Sequence, residues 1–571
     1  MDIVYNTYHL YKRSLQVVGM FRELFISILL IPFGFSATFN TVRVEDASFW
    51  RKNAETHLKK VLAQINGETN GNGIKSCAKN VIIFVGDGMG LSTVTAARIY
   101  KGQQKGTSGE EGTLTFEEFP HTGLSKTYNV NKQVPDSAGT ATALFTGVKT
   151  NYYVLGLDAV QSLKQEVDFN ARLPSIMDWA LAVNKRTGFV TTTRVTHATP
   201  AALYSHSVHR DWECDSKVPA NMSARQDIAR QLIENDPGRR LNVIMAGGRK
   251  VMGLKETAQV TDQPKFNGST ETSCERLDGR NLIHEWMALH PMNKRKFVSN
   301  TGELLSLNIE ETDHLLGLFA QNHMSYSSVR NKGALGEPSL AQMTKTAISL
   351  LKKNNTNGFV LMVEGGRIDQ AHHQNHARLA LQEVLEMDDA IQVALDDTSR
   401  SDTLIIVTAD HSHAMTLNGY AARGNDILGF GNKPKVEPYE TLTYANGPGF
   451  WRHRLNQSVE QQGKDGTWLR VNLLTNEDRT NPLYQHQAMF PLDDETHGGE
   501  DVGVYSIGPG AELLRGTFEQ NYIAYVMSYA GCMGPVRELN TACNGSASYN
   551  STASSFSIAM LLIFHLIISK L

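Results

Sequence analysis

Cysteine is scarce in this chain, five residues in 571, which excludes the cysteine-dense frameworks by which small secreted domains replace a core. Charge of one sign is scarce too. Lysine and arginine number 55 against 58 aspartates and glutamates, a formal net charge of −3. That balance argues against electrostatic nucleic-acid binding as the main activity, so no nucleic-acid partner is expected. Internal repeats are missing, which removes solenoid and propeller arrays. The one low-complexity patch is Ser-rich and lies near residue 550. What remains is an ordinary globular composition, long enough to bury a large core as several domains or as one large α/β domain.

The two ends are less ordinary. Leu24 to Phe35 is an apolar run preceded by Arg22 and closed by Gly34, Ser36 and Ala37, the order of a secretory signal, and it is too short to span a bilayer comfortably. Met20 makes a more usual signal start than Met1, which makes the first residues an extension. Phe556 to Leu571 is apolar and ends without a basic tail; a polar Ser/Asn/Thr spacer and the trio Asn544-Gly545-Ser546 precede it. Small site, spacer and apolar tail is the order of a GPI-attachment signal, with Asn544 the expected attachment residue and Ser546 the second choice. The predicted organisation is 1–36 extension and signal, 37–543 folded domain, and 544–571 removed, leaving a lipid-anchored protein on the outer face of the plasma membrane. Cys532 and Cys543 are close in sequence and would close a small loop, leaving Cys77, Cys214 and Cys274 with one thiol over. Asn221, Asn267, Asn354 and Asn456 stand in glycosylation sequons.

Between the ends, continuous apolar runs of the kind buried in a parallel sheet recur, each closing in glycine or an acid. Val81–Val85 ends in Gly86-Asp87-Gly88, where the glycines permit a tight turn that exposes Asp87. Gly188–Thr193 is followed by His197 and Thr199. Val243–Ala246 closes in two glycines. Phe359–Val363 delivers Glu364, and Leu404–Thr408 delivers Asp410 and His411, with His413 beyond. Val502–Ile507 reads as a late strand. The predicted fold is α/β, a large, mostly parallel central sheet with helices on both faces. In such sheets ligands bind beyond the carboxyl ends of the strands, where Asp87, Glu364 and Asp410 would all sit. From Gly419 to Asp494 the periodicity is lost, and the stretch reads as a loop-rich surface insertion.

Val134-Pro135-Asp136-Ser137-Ala138-Gly139 is the stretch around which this organises. Asp136 and Ser137 open a helix whose positive end favours an anion, and the small residues leave room for a tetrahedral group; the same pattern also suits a plain capped helix. Asp369 and His373 lie four apart, on one helical face, and can grip one ion. Acid-plus-histidine sets suit zinc, whereas Glu364, Thr199 and a shared Asp87 suit magnesium. Two zinc ions about 4 Å apart could clamp the attacking and leaving oxygens of an in-line phosphoryl displacement, with Ser137 as the activated nucleophile. Arg210 is a candidate guanidinium fork for the phosphate.

These motifs, KNVIIFVGDGMG, PDSAGTATALFTGVKT, TTTRVTHATP, MVEGGRIDQAHH, TADHSHAM and ETHGGEDV, spread from about Lys79 to Ile507, and in them the chain resembles the alkaline phosphatases, most closely the membrane-anchored animal enzymes. The resemblance implies hydrolysis of phosphate monoesters at alkaline pH through a phosphoserine on Ser137. It implies one zinc on Asp369, His373 and His497, and another on Asp87, Asp410 and His411 beside Ser137. Magnesium would take Asp87, Thr199 and Glu364, with His197 nearby; His413 would stand behind the first zinc, and Arg210, steadied by Asp136, would bind phosphate. The Gly419–Asp494 insertion would be the family's crown, and the assembly a homodimer. The chain departs from the family pattern at Gln370, where vertebrate members carry histidine, and at Phe145, where a free cysteine is common. One vertebrate disulfide is also missing. Where a Phe-Glu pair supplies part of a calcium site this chain has Phe319-Ala320, although Glu337 matches another ligand, and the departure leaves that calcium site open. Sulfate-ester hydrolysis, a sister chemistry, needs a Cys/Ser-x-Pro-x-Arg motif that is not found around Ser137. A surface binding protein without turnover would have lost the serine or a zinc ligand, and all are present.

Overall fold

The computed structural model describes residues 44–70, 73–74, 76–160, 169–222, 225–254, 274–290, 294–431, 440–453, 479 and 481–544. The expected signal segment, the segment after Asn544, and the sequons at Asn267 and Asn456 lie outside them. A compact unit begins at Asp46.

Its centre is a ten-stranded sheet. In chain order the strands are β1 (Asn80–Gly86), β2 (His121–Lys126), β3 (Arg186–Arg194), β4 (Val243–Gly247), β5 (Arg295–Val298), β6 (His314–Leu318), β7 (Phe359–Gly365) and β8 (Thr403–Ala409). After two short strands, β9 (Ser412–His413) and β10 (Met415–Leu417), come β11 (Leu442–Gly447), β12 (Ala488–Pro491), β13 (His497–Gly498), β14 (Val502–Ile507) and β15 (Gly516–Glu519). The order across the sheet is β15-β2-β14-β8-β1-β7-β3-β4-β6-β5. The pairings of β1 with β7 and β8, and of β3 with β4 and β7, are parallel; β14 alone runs against both its neighbours.

Strand alternation explains why these runs are apolar throughout. Val81, Ile83 and Val85 of β1 enter one core, while Ile82 and Phe84 enter another on the opposite face. The first core is covered by the helices Ala47–Glu68, Ser137–Thr146 and Tyr522–Ala530, the second by Leu91–Gln104, Leu340–Lys352 and Ala377–Asp397. The sheet therefore has helices on both faces, as the apolar runs predict.

The stretch from Gly419 to Asp494 is more ordered than its composition suggests. β11 and β12 lie within it and, with β10, make a separate three-stranded sheet. Glu440 and Tyr484 are buried under it, Tyr484 Oη donating to Glu440 Oε1 at 2.5 Å. Two disulfides are present, Cys532–Cys543 and Cys214–Cys274, and Cys77 is the free thiol. Asn221 and Asn354 are exposed.

Candidate active site

The carboxyl ends of four adjacent central strands, β8, β1, β7 and β3, come together at one edge of the sheet. Parallel register does this: Gly86 of β1 pairs with Ala409 of β8 and with Gly365 of β7. Asp87, Asp410, His411 and Glu364 therefore emerge side by side, each fully buried. The turn after β1 needs its glycine. Gly88 has φ +72°, and a Cβ there would meet His413 Cδ2 at 2.4 Å.

Ser137 arrives from the helix Ser137–Thr146, which Asp136 caps by accepting from Ala138 N at 3.2 Å and Gly139 N at 3.3 Å. Capping and chemistry coexist here, because the cap holds Ser137 at the helix start with its Oγ turned into the cluster. Ser137 Oγ lies 3.1 Å from His411 Nε2 and 3.4 Å from Asp87 Oδ1. His411 in turn lies 3.2 Å from Asp410 Oδ2 and 3.4 Å from Asp87 Oδ1. Asp410 is held rigidly, accepting from Thr140 Oγ1, Gly88 N and His411 N at 3.1, 3.1 and 2.8 Å.

A second group gathers on Asp369. Its Oδ1 is 2.7 Å from His413 Nε2 and 3.4 Å from Nε2 of both His373 and His497. The helix Arg367–His373 carries the first pair of residues, and β13, paired antiparallel to β9, carries His497 opposite His413. His373 donates its Nδ1–H to the carbonyl of Glu495 at 2.5 Å, and His497 donates its Nδ1–H to the carbonyl of Pro135 at 2.7 Å. Those bonds leave both Nε2 lone pairs facing Asp369, the arrangement of histidines prepared for a metal. His413 differs. Its Nδ1 is bonded to Glu495 Oε2 and its Nε2 to Asp369, so it holds Asp369 from behind rather than offering a lone pair. Burial works against its protonation, but the flanking Glu495 and Asp369 raise its pKa to about 10.

A third group comprises Asp87, Glu364 and His197. Glu364 Oε2 accepts from Thr191 Oγ1 and, at 3.2 Å, from Thr193 Oγ1. Its other oxygen, Asp87 Oδ2 and the Thr199 hydroxyl are buried with no hydrogen-bond partner, a cost that a cation held between them removes. Arg210 NH1 is 3.2 Å from Asp136 Oδ2 and its NH2 is 3.1 Å from His197 Nε2. Its backbone N–H donates to Tyr153 O at 2.9 Å, and Tyr153 N donates to Asp136 Oδ1 at 3.0 Å. The guanidinium loop and the cap of the Ser137 helix are thereby tied together.

The electrostatics demand cations. Burial, reinforced by one another's charge, lifts Asp87 well above the carboxylate range, Glu364 to about 7 and Asp410 to about 6. Asp369 is the exception: burial lifts it too, but His373, His413 and His497 together hold it well below that range. Asp369, Asp87 and Glu364 supply the carboxylates of three close ligand groups, Asp369–His373–His413–His497, Asp87–His197–Glu364 and Asp87–Asp369–His411. Asp410 belongs to none of them but lies 3.2 Å from His411, and the oxygen and imidazole donors fit divalent zinc and magnesium. Both Glu337 oxygens accept from Ser325, and among the described residues no cluster of potential metal ligands includes Glu337. Gln370 accepts from Arg367 NH1 at 2.8 Å and takes no part in the cluster.

Sequence reasoning missed Glu495, the Pro135 carbonyl and Thr140. Glu495 stood in plain view inside ETHGGEDV, and an acid two residues before a candidate ligand was the available signal.

The chain is similar to known proteins over most of its length. The Alkaline phosphatase family profile matches residues 78–533. The chain is 52% identical over 511 residues to Alkaline phosphatase 4 of Drosophila melanogaster, covering 88% of this chain and 84% of that one. It is 44% identical over 497 residues to the human tissue-nonspecific isozyme, covering 86% and 89%. It is 40% identical over 517 residues to the Membrane-bound alkaline phosphatase of Bombyx mori, covering 88% of each. In fold it is similar to the alkaline phosphatase of Thermus thermophilus, with a TM-score of 0.55 at 23% identity over 80% of this chain and 92% of that one.

Proposed function

The chain belongs to the alkaline phosphatase family and is a hydrolase of phosphate monoesters, and from that premise we propose that it acts through a phosphoserine on Ser137. The observation that carries this reading is the position of Ser137 Oγ, buried at a helix start and within 3.4 Å of both Asp87 and His411. Ser137 Oγ attacks phosphorus as the bond to the leaving alkoxide breaks. A water then attacks the phosphoserine, freeing inorganic phosphate and regenerating the serine. Arg210, pinned through Asp136, offers two N–H groups to the phosphoryl oxygens and keeps the transferring group in line with Ser137. The helix start adds a fixed positive potential at the same point.

The donor sets support two zinc ions, one on Asp369, His373 and His497 and one on Asp87, Asp410 and His411 beside Ser137. They also support one magnesium on Asp87, Thr199 and Glu364, with His197 alongside. Bound there, these ions would supply Lewis acidity that lowers the serine's pKa and offsets charge on the phosphoryl oxygens. The chain's own residues set where that chemistry falls: Thr140 and Gly88 aim Asp410, and His413 aims Asp369.

The same reading places the protein on the outer cell surface, anchored through a GPI lipid at Asn544 and glycosylated at the sequons. Its support is the order of features at the two chain ends and the membrane-bound relative. Among the described residues no helix is long and apolar enough to cross a membrane. A homodimer is supported by the apolar side chains exposed around the three-stranded sheet, Leu417, Tyr420, Trp451, Met489 and Phe490.

The test is hydrolysis of a chromogenic phosphate monoester beside the Ser137→Ala variant, before and after chelation, with zinc and magnesium restored. Turnover is expected to fall at least about 10³-fold in the variant, to vanish on chelation and to return with metal. Rapid acid quench with radiolabelled phosphate should label wild type and not the variant. Equal labelling would remove Ser137 from the role.

A further inference from the structure

Glu495 has no part in the chemistry above, yet it is 1% exposed and every polar group it owns is engaged at the Asp369 cluster. Its Oε2 binds Nδ1 of His413, and its Oε1 accepts from Ala414 N at 2.7 Å. Its backbone N–H donates to the His373 carbonyl at 2.8 Å, while its own carbonyl accepts the Nδ1–H of His373 at 2.5 Å. Two residues on, the same segment carries His497, which pairs with His413 across β13 and β9. The Asp369 cluster draws its histidines from three separated pieces of chain, and this one residue fastens two of them to the third.

We propose that Glu495 is a positioning residue for the Asp369–His373–His497 metal site, fixing through its side chain and its carbonyl which imidazole nitrogens face the ion. The inference rests on the metal reading given above. The physical argument is one of orientation. A ligating imidazole must present a lone pair, and the hydrogen bond made by its other nitrogen decides which one it presents. For His373 that bond goes to the Glu495 carbonyl, leaving Nε2 at 3.2 Å from His497 Nε2. Asp369 is steadied indirectly, since His413 spans the gap between the two carboxylates and cannot swing away while Glu495 holds its far nitrogen. A carboxylate is required because two donors approach from different sides, one on each oxygen. No amide satisfies both.

Glu495→Gln is the informative substitution. It keeps the volume, but a single acceptor oxygen can serve either His413 or Ala414, and the amide N–H₂ must then face the other donor. Metal-free Glu495→Gln is expected to fold but to melt below wild type, because one buried donor is left facing the amide N–H₂; the ratio of the two release rates, not the midpoint, is therefore the readout. In the zinc-loaded protein a colorimetric chelator should withdraw one of the two zinc ions about 10- to 100-fold faster than from wild type, the other at an unchanged rate. Glu495→Ala should show the same split more strongly. Wild-type release rates for both ions in both variants would overturn the proposal, as would an equal acceleration of both, which is the signature of general loosening. Wild-type protein that takes up no zinc would instead sink the metal reading on which this inference stands.

Discussion

The two halves of the cluster are built on different principles. Asp87, Asp410 and His411 are fully buried at the ends of adjacent central strands, so the parallel ladder and both cores fix them. Asp369, His373 and His497 sit on a seven-residue helix and a two-residue strand, and the side chains of His373 and His497 remain 29% and 12% exposed. Single long-range hydrogen bonds place them. One half is as stable as the fold, whereas the other depends on a few pins that can be drawn individually. On the reading proposed above, a serine nucleophile needs the first kind of support, and a partly solvated metal site is compatible with the second.

That contrast can be broken by experiment. Asp410→Ala should do the most damage, costing the metal-free protein roughly 1–3 kcal/mol at pH 5, where Asp410 is largely protonated, because the backbone N–H groups of Gly88 and His411 lose their acceptor in a buried setting while Thr140 Oγ1 keeps the Asp136 carbonyl. His497→Ala should cost less than about 1 kcal/mol of metal-free stability, since the site is partly solvated, while still losing zinc. Denaturant titrations of both metal-free variants would decide it; equal losses would erase the distinction between the halves.

Arg210→Ala should follow in size. Losing charge-assisted bonds to phosphate is expected to weaken competitive phosphate inhibition about 10- to 100-fold, with zinc content unchanged by metal analysis. Loss of metal in that variant would mean that the arginine loop supports the buried half rather than the substrate.

The smallest expected effect is on pH dependence. In the metal-free protein burial lifts Glu364 to about 7 and Asp410 to about 6. At these two groups the folded chain holds protons that the unfolded chain releases, so their contribution to stability declines as pH rises from about 4 towards 7. Asp369, held low, acts oppositely and only under acid conditions, and the buried histidines whose pKa values are lowered contribute stability that grows as pH rises. The metal-free wild-type midpoint, taken relative to that of metal-free Glu364→Gln, should thus fall from pH 5 to about pH 8, and the histidines cancel in the difference. A difference that rises over this interval would contradict the assignment of crowded carboxylates to the buried half.

The buried half was also the legible half. Strands β1, β3, β4, β7, β8 and β14 announce themselves as apolar runs because both their faces are covered, and the acids at their ends follow directly. β2 (HTGLSK), β5 (RKFV) and β15 (GTFE) gave no such signal. β5 and β15 lie at the sheet's edges and β2 one strand in from β15; their short, polar-rich sequences are set by pairing rather than by burial. The long-range antiparallel pair β9 and β13 is too short to carry any period, so the closeness of His413 and His497 could be reached only through family likeness. The small sheet around β11 escaped for a related reason. Its buried apolar residues, Met415, Leu442, Tyr444, Phe450 and Ala488, enter the second core singly rather than as a run, with Glu440 and Tyr484 buried nearby, and composition reads that scatter as surface.

The bond from His497 to the Pro135 carbonyl joins residues 362 positions apart. Consider what this imposes on a chain emerging from a ribosome. The serine, its cap and the first acid are made early and must wait, folded or guarded, while most of the protein is synthesised. The metal cluster cannot close until residue 497 has appeared, and the long-range contacts it needs are those slowest to form. A product cut short anywhere before that point carries Ser137 and its cap without His497. On the reading proposed above, competence then arrives in a single late event, once residue 497 has been made.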